Sequence, residues 1–369
     1  MKVKIITRHA IANYGSLLQS YATQKTFEKL GFESEIIDYI RIEEKPKNLV
    51  NTYTQNSKFW NKNFFTRLMY KLIQIPNLNK MNNKFEKYRK KYLNLTEKEY
   101  TTEEELKKNL PEADIYCTGS DQVWGQIAND DYDKNYFLSF VPENKKCISY
   151  AASFGKTDIS LELKKKLPDL LKKYKKILVR EESAKKIIES VGIDKVEMVL
   201  DPTLLLSKLE WEKLYNEKYK KNEDYILVYQ LHHNKNFDRY LKKIKKTTKL
   251  KIYRINPSFY FKFKPGKLVY LPSLEEFITL FHNAKYVITD SFHGTVFSII
   301  FNIPMIDILP QKTGTRIQSI LKLFGIEERM LKDFEDVSIF DKKIDFNKVN
   351  EIVKKEQIKS LNLLKESLN

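Results

Sequence analysis

The chain has 369 residues, 42% hydrophobic and 13% aromatic, with 66 basic against 48 acidic side chains and a formal charge of +18. This composition excludes a disordered chain and suffices for two α/β domains. The positive surplus calls for an anionic partner, a phosphorylated small molecule or an acidic membrane surface. Its lysines are spread along the whole chain with no recognisable reader of bases, so nucleic acid is not expected.

Lys2 to Thr7 reads as a first strand, and "SLLQSYATQKTFEKLG" as the following helix. Leu17, Leu18, Tyr21, Ala22, Phe27 and Leu30 fall at helical spacing, with Ser16 as the cap and Gly31 as the stop. "FESEIIDYI" is the next strand, so the chain opens as a β-α-β unit. Residues 41–100 break the rhythm with an insertion rich in asparagine turns. There Phe59, Trp60, Phe64, Phe65, Leu68, Met69, Leu72 and Ile73 give a partly helical apolar face among lysines and arginines. Such a face packs on its own domain or a second subunit, or lies against an anionic membrane or a lipid-linked acceptor.

The rhythm then resumes with a helix near 102–110, strand "ADIYCTG", the polar loop "SDQVWGQ", a strand at 146–152, a helix at 161–175, strand "KILVR", a helix at 182–191 and strand "KVEMVL". "DPTLLL" leaves the sheet, because the residue before a proline is pushed from helical geometry. A second series begins after "NEKYKKNED": strand 225–231, helix 237–246, strand 250–254, strand "KLVYL", helix 274–281, strand "KYVITD", helix 295–301 and strand "MIDIL". The expected fold class is α/β, with two facing doubly wound, Rossmann-like domains. Residues 1–205 form the first domain, 206–345 the second, and 346–369 a helix packing back on the body. Cys117 and Cys147 lie in apolar strands, which fits a reducing compartment. The N-terminus lacks a signal-peptide pattern and no segment approaches the roughly 18 apolar residues of a spanning helix. The chain is therefore expected in the cytoplasm, with work at the inner membrane face and homo-oligomer formation compatible with it.

Ligands in such folds bind beyond the C-terminal ends of the strands, so the polar residues after each apolar run are the informative ones. In "ITDSFHGTVFSII", His293 can serve as general acid or base or donate to an anion. Gly294 allows close approach, the helix from Thr295 offers free N–H groups, and Asp290 can orient the imidazole or cap the helix. Thr313, Gly314 and Thr315 can open a later helix with Arg316 in its first turn, suited to phosphate or carboxylate. In the first domain, Asn13, Tyr14 and Gly15, and Gly119, Ser120, Asp121 and Gln122, can hold sugar hydroxyls. Trp124 either stacks on a sugar or belongs to the core, and Arg180 ends a strand beside Glu181. His232 and His233 would point to different faces if their strand persists. There is no GxGxxG after the first strand, no GxxxxGK[ST], no HExxH and no G-x-S-x-G. Nicotinamide, P-loop, zincin and hydrolase readings lack their minimal geometry, and neither metal nor cofactor is required.

The ordered set "ANYGSLLQSYA", "GSDQVW", "SYAASFG", "VRE", "VLDPTLLL", "ITDSFHGTVFSIIFNIP" and "TRIQSILKLFG" resembles the polysaccharide pyruvyl transferase family over about residues 3 to 330. The resemblance implies a fold like that of GT-B glycosyltransferases. It implies transfer of the enolpyruvyl group of phosphoenolpyruvate to a sugar of a cell-surface polysaccharide or its lipid-linked precursor, giving a pyruvate ketal and phosphate. His293 then falls on the histidine of the donor-binding motif, with Asp121 as acceptor-orienting residue or base. Arg316, Arg180, Ser291, Gly294, Thr295 and Thr315 form the anion-binding set, and Asn13, Tyr14, Gly15, Ser120, Gln122 and Trp124 the acceptor side. Many members carry an arginine two residues before the histidine, where this chain has Ser291. The alternatives are a glycosyltransferase with a nucleotide-sugar donor, for which Glu275 would contact the nucleoside, and a non-catalytic glycan-binding protein.

Overall fold

The apolar runs pair in parallel, as strands buried on both faces do. In a computed structural model that describes residues 1–45, 48, 62–125, 127, 132–310 and 314–369, β1 (Lys2–Ile6), β2 (Glu33–Ile36), β3 (Ile115–Thr118), β4 (Lys146–Ala152), β5 (Tyr174–Val179) and β6 (Val196–Met198) form one sheet. Its strand order is β2-β1-β3-β4-β5-β6. A second sheet holds β7 (Tyr225–Tyr229), β8 (Lys251–Asn256), β9 (Lys267–Tyr270), β10 (Tyr286–Thr289) and β11 (Met305–Asp307) in the order β11-β10-β7-β8-β9. The order reverses between β1 and β3 in the first sheet and between β7 and β10 in the second. At such points the connecting loops diverge and leave a crevice at the strand ends.

The first lobe carries α1 (Tyr14–Lys29), α2 (Phe64–Tyr92) and α3 (Glu103–Lys108). They are followed by α4 (Leu161–Leu171), α5 (Glu182–Glu189) and α6 (Lys208–Glu212). The second lobe adds α7 (Lys235–Thr248), α8 (Leu274–His282), α9 (Phe292–Ile300) and α10 (Thr315–Phe324), and α11 (Phe346–Leu368) closes the described chain. Two helix starts differ from the sequence expectation. Asn13, not Ser16, caps α1, its side chain accepting from the N–H groups of Gly15 and Ser16. Likewise α9 begins at Phe292 with Ser291 as cap, three residues ahead of Thr295, which places His293 inside the first helical turn.

One hydrophobic core runs through both lobes. The Tyr14 ring stacks on Phe277 with centroids 4.9 Å apart, and Trp211 packs against Tyr21 at 5.9 Å and Phe297 at 5.0 Å. The Tyr14 hydroxyl donates to the Pro272 carbonyl at 2.6 Å. A seam this apolar resists the free hinge motion usual between polar domain faces. Helix α11 returns to the first lobe, where Ser360 Oγ accepts from the Leu200 N–H at 3.0 Å and Lys146 Nζ donates to the Leu368 carbonyl at 2.6 Å.

Within the insertion, the C-terminal half of α2 is fixed to both lobes. Arg89 pairs with Asp38, which also meets His9 Nε2 at 3.0 Å, while Tyr88 donates to the Pro272 carbonyl at 3.0 Å. Its N-terminal half leaves Phe64, Phe65, Leu68, Met69, Leu72 and Ile73 exposed rather than packed on the body. Phe59 and Trp60 lie outside the described residues. Among the described residues, no helix is long and apolar enough to cross a membrane.

Candidate functional site

The first lobe delivers its polar residues from the ends of β3, β5 and β6 and from the start of α1. Asp121 forms an isolated bridge with Ala152 just beyond β3 and holds φ at +75°, a left-handed conformation that costs a non-glycine residue energy and clusters at functional positions. Because Asn13 takes over the capping of α1, the Ser16 hydroxyl is free to donate to Asp121 Oδ2 at 2.6 Å. Arg180, immediately after β5, donates through Nη1 to Asp201 Oδ2 at 2.7 Å, and its Nη2 lies 3.5 Å from Asp121 Oδ1. Ser120 Oγ donates to Asp201 at 3.1 Å, and Glu181 Oε2 lies 3.7 Å from Arg180 Nε.

The second lobe answers with the first turns of α9 and α10. Ser291 Oγ accepts from the Gly294 N–H at 3.4 Å. Glycine at 294 lets α9 sit down on β10, since a Cβ there would come within 2.2 Å of Thr289 Oγ1. The His293 imidazole lies against Gly15 of the opposite lobe; a Cβ at position 15 would stand 2.1 Å from Nδ1. His293 Nε2 lies 3.9 Å from Asp201 Oδ2 and has no hydrogen-bond partner among the described residues. Arg316 Nη1 reaches to 3.8 Å from Asp121 Oδ1. The Phe292 ring is shared by the guanidinium groups of Arg180 at 4.6 Å and Arg316 at 5.9 Å, where cation–π attraction holds both cations in place.

The cluster thus contains the carboxylates Asp121, Glu181 and Asp201 against two guanidinium groups. Burial pushes the His293 imidazole down, and the nearby arginines oppose the two aspartates, leaving it near about 4 and neutral at pH 7. For Asp121 burial acts upward, yet Arg180, His293 and Arg316 hold its carboxyl well below the ordinary range. Asp201 is likewise lowered by Arg180 and His293 against its burial. The two arginines differ. Burial works against both charges, but the carboxylates raise Arg180 above its ordinary value, whereas Arg316, beside Arg180, falls to about 10. Arg316 is the cation left short of negative partners, and its Nε has no hydrogen bond among the described residues.

Among the described residues the two lobes meet here without an open cleft. The void bounded by Arg180, Asp201, Phe292 and Arg316 measures about 10 Å³, room for about one water, so a substrate needs side chains or lobes to part. A wider pocket of about 790 Å³ opens beside Asp290 and takes in His232, His233, Asn234 and Lys235. Both histidines line it because β7 ends at Tyr229 and the alternation that would have separated them has stopped.

Several expected ligand contacts are structural in this state. Trp124 is fully buried, stacked on Phe137 with centroids 5.3 Å apart, and its Nε1 donates to the Tyr136 carbonyl at 3.1 Å. Tyr14 belongs to the seam and Asn13 to the cap of α1, while Gln122 packs against Gly155. Thr295 turns away, donating to Asp307 Oδ1 at 2.5 Å, and the buried Thr315 hydroxyl has no hydrogen-bond partner among the described residues. Asp290 neither orients His293 nor caps α9; its carboxylate accepts from the Leu231 and His232 N–H groups at 2.6 and 2.9 Å. Glu275 is engaged by Lys91 at 2.7 Å and by Tyr92, across the seam. Thr313 lies outside the described residues. Glu181 pairs with Arg180 as its position beside it suggests, whereas Asp201 is absent from the sequence expectation and Ser16 enters it only as a helix cap. Asp201 carries a signal, as the polar residue between β6 and Pro202, but an Asp-Pro pair reads equally as an exit from the sheet.

The sequence profile of the family described as polysaccharide pyruvyl transferase matches residues 13–309, most of the chain and both halves of this cluster up to α9. The chain belongs to that family. No curated protein matches the sequence. Solved structures with a similar fold include a UDP-GlcNAc 2-epimerase of Methanocaldococcus jannaschii in complex with UDP-GlcNAc and UDP, at TM-score 0.51 and 16% identity, covering 97% of this chain and 93% of that one. A Listeria monocytogenes protein assigned as a UDP-N-acetylglucosamine 2-epimerase gives 0.53 at 11% identity, with 95% and 91% covered. The S. aureus MnaA–UDP structure gives 0.50 at 10% identity, with 96% and 87% covered. At these identities the likeness is one of fold, two Rossmann-like lobes in the GT-B arrangement. Membership makes the chain a transferase-family enzyme of polysaccharide modification, with Asp121, Arg180, Asp201 and His293 inside the matched span and Arg316 just beyond it.

Proposed function

We propose that this enzyme transfers a pyruvyl group from phosphoenolpyruvate to two hydroxyls of one sugar in a cell-surface polysaccharide or its lipid-linked precursor. The observation carrying this reading is that the unpartnered Nε2 of His293 and the under-neutralised Arg316, both from the second lobe, meet Arg180 and Asp201 of the first lobe at the strand ends.

In the transfer, C3 of the donor gains a proton and becomes the methyl group. C2 forms bonds to two acceptor oxygens, and its bond to the phosphate oxygen breaks. Of the two acceptor protons, one balances the proton gained by C3 and the other leaves with phosphate. His293, neutral at pH 7 and with an unpartnered Nε2, can accept a hydroxyl proton and return it. Asp121, held ionised and saturated by Ser16 and two arginines, is a weak base that fits an orienting role better. Arg316, tied only loosely to Asp121, is the arginine free to turn to the donor's phosphate or carboxylate. It stands in for the arginine that Ser291 replaces, while Ser291 caps α9. Arg180 stays with Asp201 and frames the site.

Phosphate release from phosphoenolpyruvate, measured over a panel of sugar acceptors, tests this reading. Wild type should release phosphate only with an acceptor, and His293→Ala should lose the activity; equal turnover by the variant removes His293 from the mechanism.

A further inference from the structure

The N-terminal half of α2 is inside out with respect to the protein. From Phe64 to Ile75, the apolar positions 64, 65, 68, 69, 72, 73 and 75 sweep about half the circumference of a helix, roughly 180° at 3.6 residues per turn. An amphipathic helix ordinarily turns such an arc to its core. Here the arc faces outward, with Phe64 80% exposed, Phe65 68% and Leu72 63%, while the opposite side at Thr66, Tyr70 and Gln74 is the half-buried one.

Contiguous apolar surface of this kind marks an interaction site, and charge tells which. From Lys45 to Phe85 the sequence contains lysine and arginine but no aspartate or glutamate, and Arg67 and Lys71 flank the arc on its polar side. A second copy docking face to face would set this basic rim against itself, like charge on like. An anionic lipid surface meets both features: apolar side chains enter the acyl boundary and the rim meets lipid phosphates. The segment spans about 18 Å at 1.5 Å per residue, long enough to lie in the interface and too short to cross it.

We propose that residues 64–75 of α2 form an in-plane anchor to an anionic membrane surface. The same helix continues to Phe85, whose ring lies 4.9 Å from Tyr14, next to the Gly15 that abuts His293. The anchor is thereby joined to the seam by one helix, which passes through Pro76, and stands about 20 Å along the helix from it. The inference rests on surface geometry and not on the identity of the donor.

Cosedimentation of the full chain with vesicles of phosphatidylglycerol and phosphatidylcholine (3:7), against pure phosphatidylcholine, tests it. Wild type should bind the anionic vesicles, and Leu68→Glu/Leu72→Glu should bind at least about tenfold more weakly. Both positions are exposed, so the variant should keep its far-ultraviolet circular dichroism and its phosphate release with a water-soluble acceptor. Equal binding by wild type and variant, absence of wild-type binding, or a wild-type dimer that the double substitution converts to monomer each overturns the anchor. Absence of phosphate release in both proteins counts against the transfer reaction alone.

Discussion

The imidazole of His293 rests on the α-carbon of Gly15, so that the first turn of α1 in one lobe is the floor for the side chain delivered by α9 of the other. Gly15 is not in the left-handed region; what it supplies is absence of bulk. Gly15→Ala places a methyl 2.1 Å from Nδ1, and the ring or the lobe has to shift. Displacement of about 1 Å at a reacting group costs about 10²-fold in turnover. Steady-state phosphate release should show that loss in kcat, and an unchanged kcat would mean that the ring is not fixed from this side.

His293 also gives the protein an acid-sensitive element. Its folded value near about 4 lies below the ordinary 6.5, so the unfolded chain takes up the proton first. Stability is complete above about pH 6.5, declines as pH falls, and the loss is full below about 4, amounting to about 3 kcal/mol. Urea titrations of wild type and His293→Asn between pH 4 and 7 should converge at the acid end through loss by the wild type. Parallel curves would contradict the burial of a neutral ring.

Arg180 neutralises a pair of buried carboxylates, with Asp201 at 2.7 Å as its closest partner. Arg180→Ala strands Asp201 in a dry site, and breaking a buried pair in this way costs about 3–5 kcal/mol. Arg316→Ala removes a cation already short of partners and should weaken donor binding with a much smaller change in urea midpoint. Comparing KM for phosphoenolpyruvate and urea midpoints of the two variants separates a framing arginine from a donor-binding one; the reverse pattern would exchange their roles.

Asp307, beneath α9, has the opposite pH sign to His293. Burial lifts its carboxyl to about 7, above the opposing effects of Thr295 and Arg329. A raised carboxyl favours the folded state below about pH 4 and loses that advantage as pH rises through about 7. The difference is about 4 kcal/mol. Asp307→Asn mimics the protonated form and keeps an acceptor for the Thr295 hydroxyl. The variant should gain on wild type between pH 5 and 8 in thermal melts, and no change in the difference would place the charge elsewhere.

Much of this architecture was legible because parallel strands covered on both faces must be apolar throughout; "YILVY" is buried at all five positions. The strand-end rule then singled out His293, Arg316, Arg180 and Asp121, which the structure gathers into one cluster. Side-chain direction was not legible. Trp124 and Thr295 sit beside strand ends, yet each turns into its own lobe. Asp201 was hidden by Pro202, since a residue that ends a strand and one that faces across a seam look alike in sequence. The closed seam follows from Tyr14, Trp211 and Phe277 meeting across lobes, and long-range aromatic packing leaves no local pattern.

The backbone amide of Leu200 is satisfied by Ser360, a residue 160 positions later. During synthesis the amide next to Asp201 therefore waits for a hydroxyl that has not yet left the ribosome. The polar cluster takes His293 and Arg316 from the second lobe, so it gains its final geometry only after that lobe has emerged, and its assembly is a late event in the making of the chain.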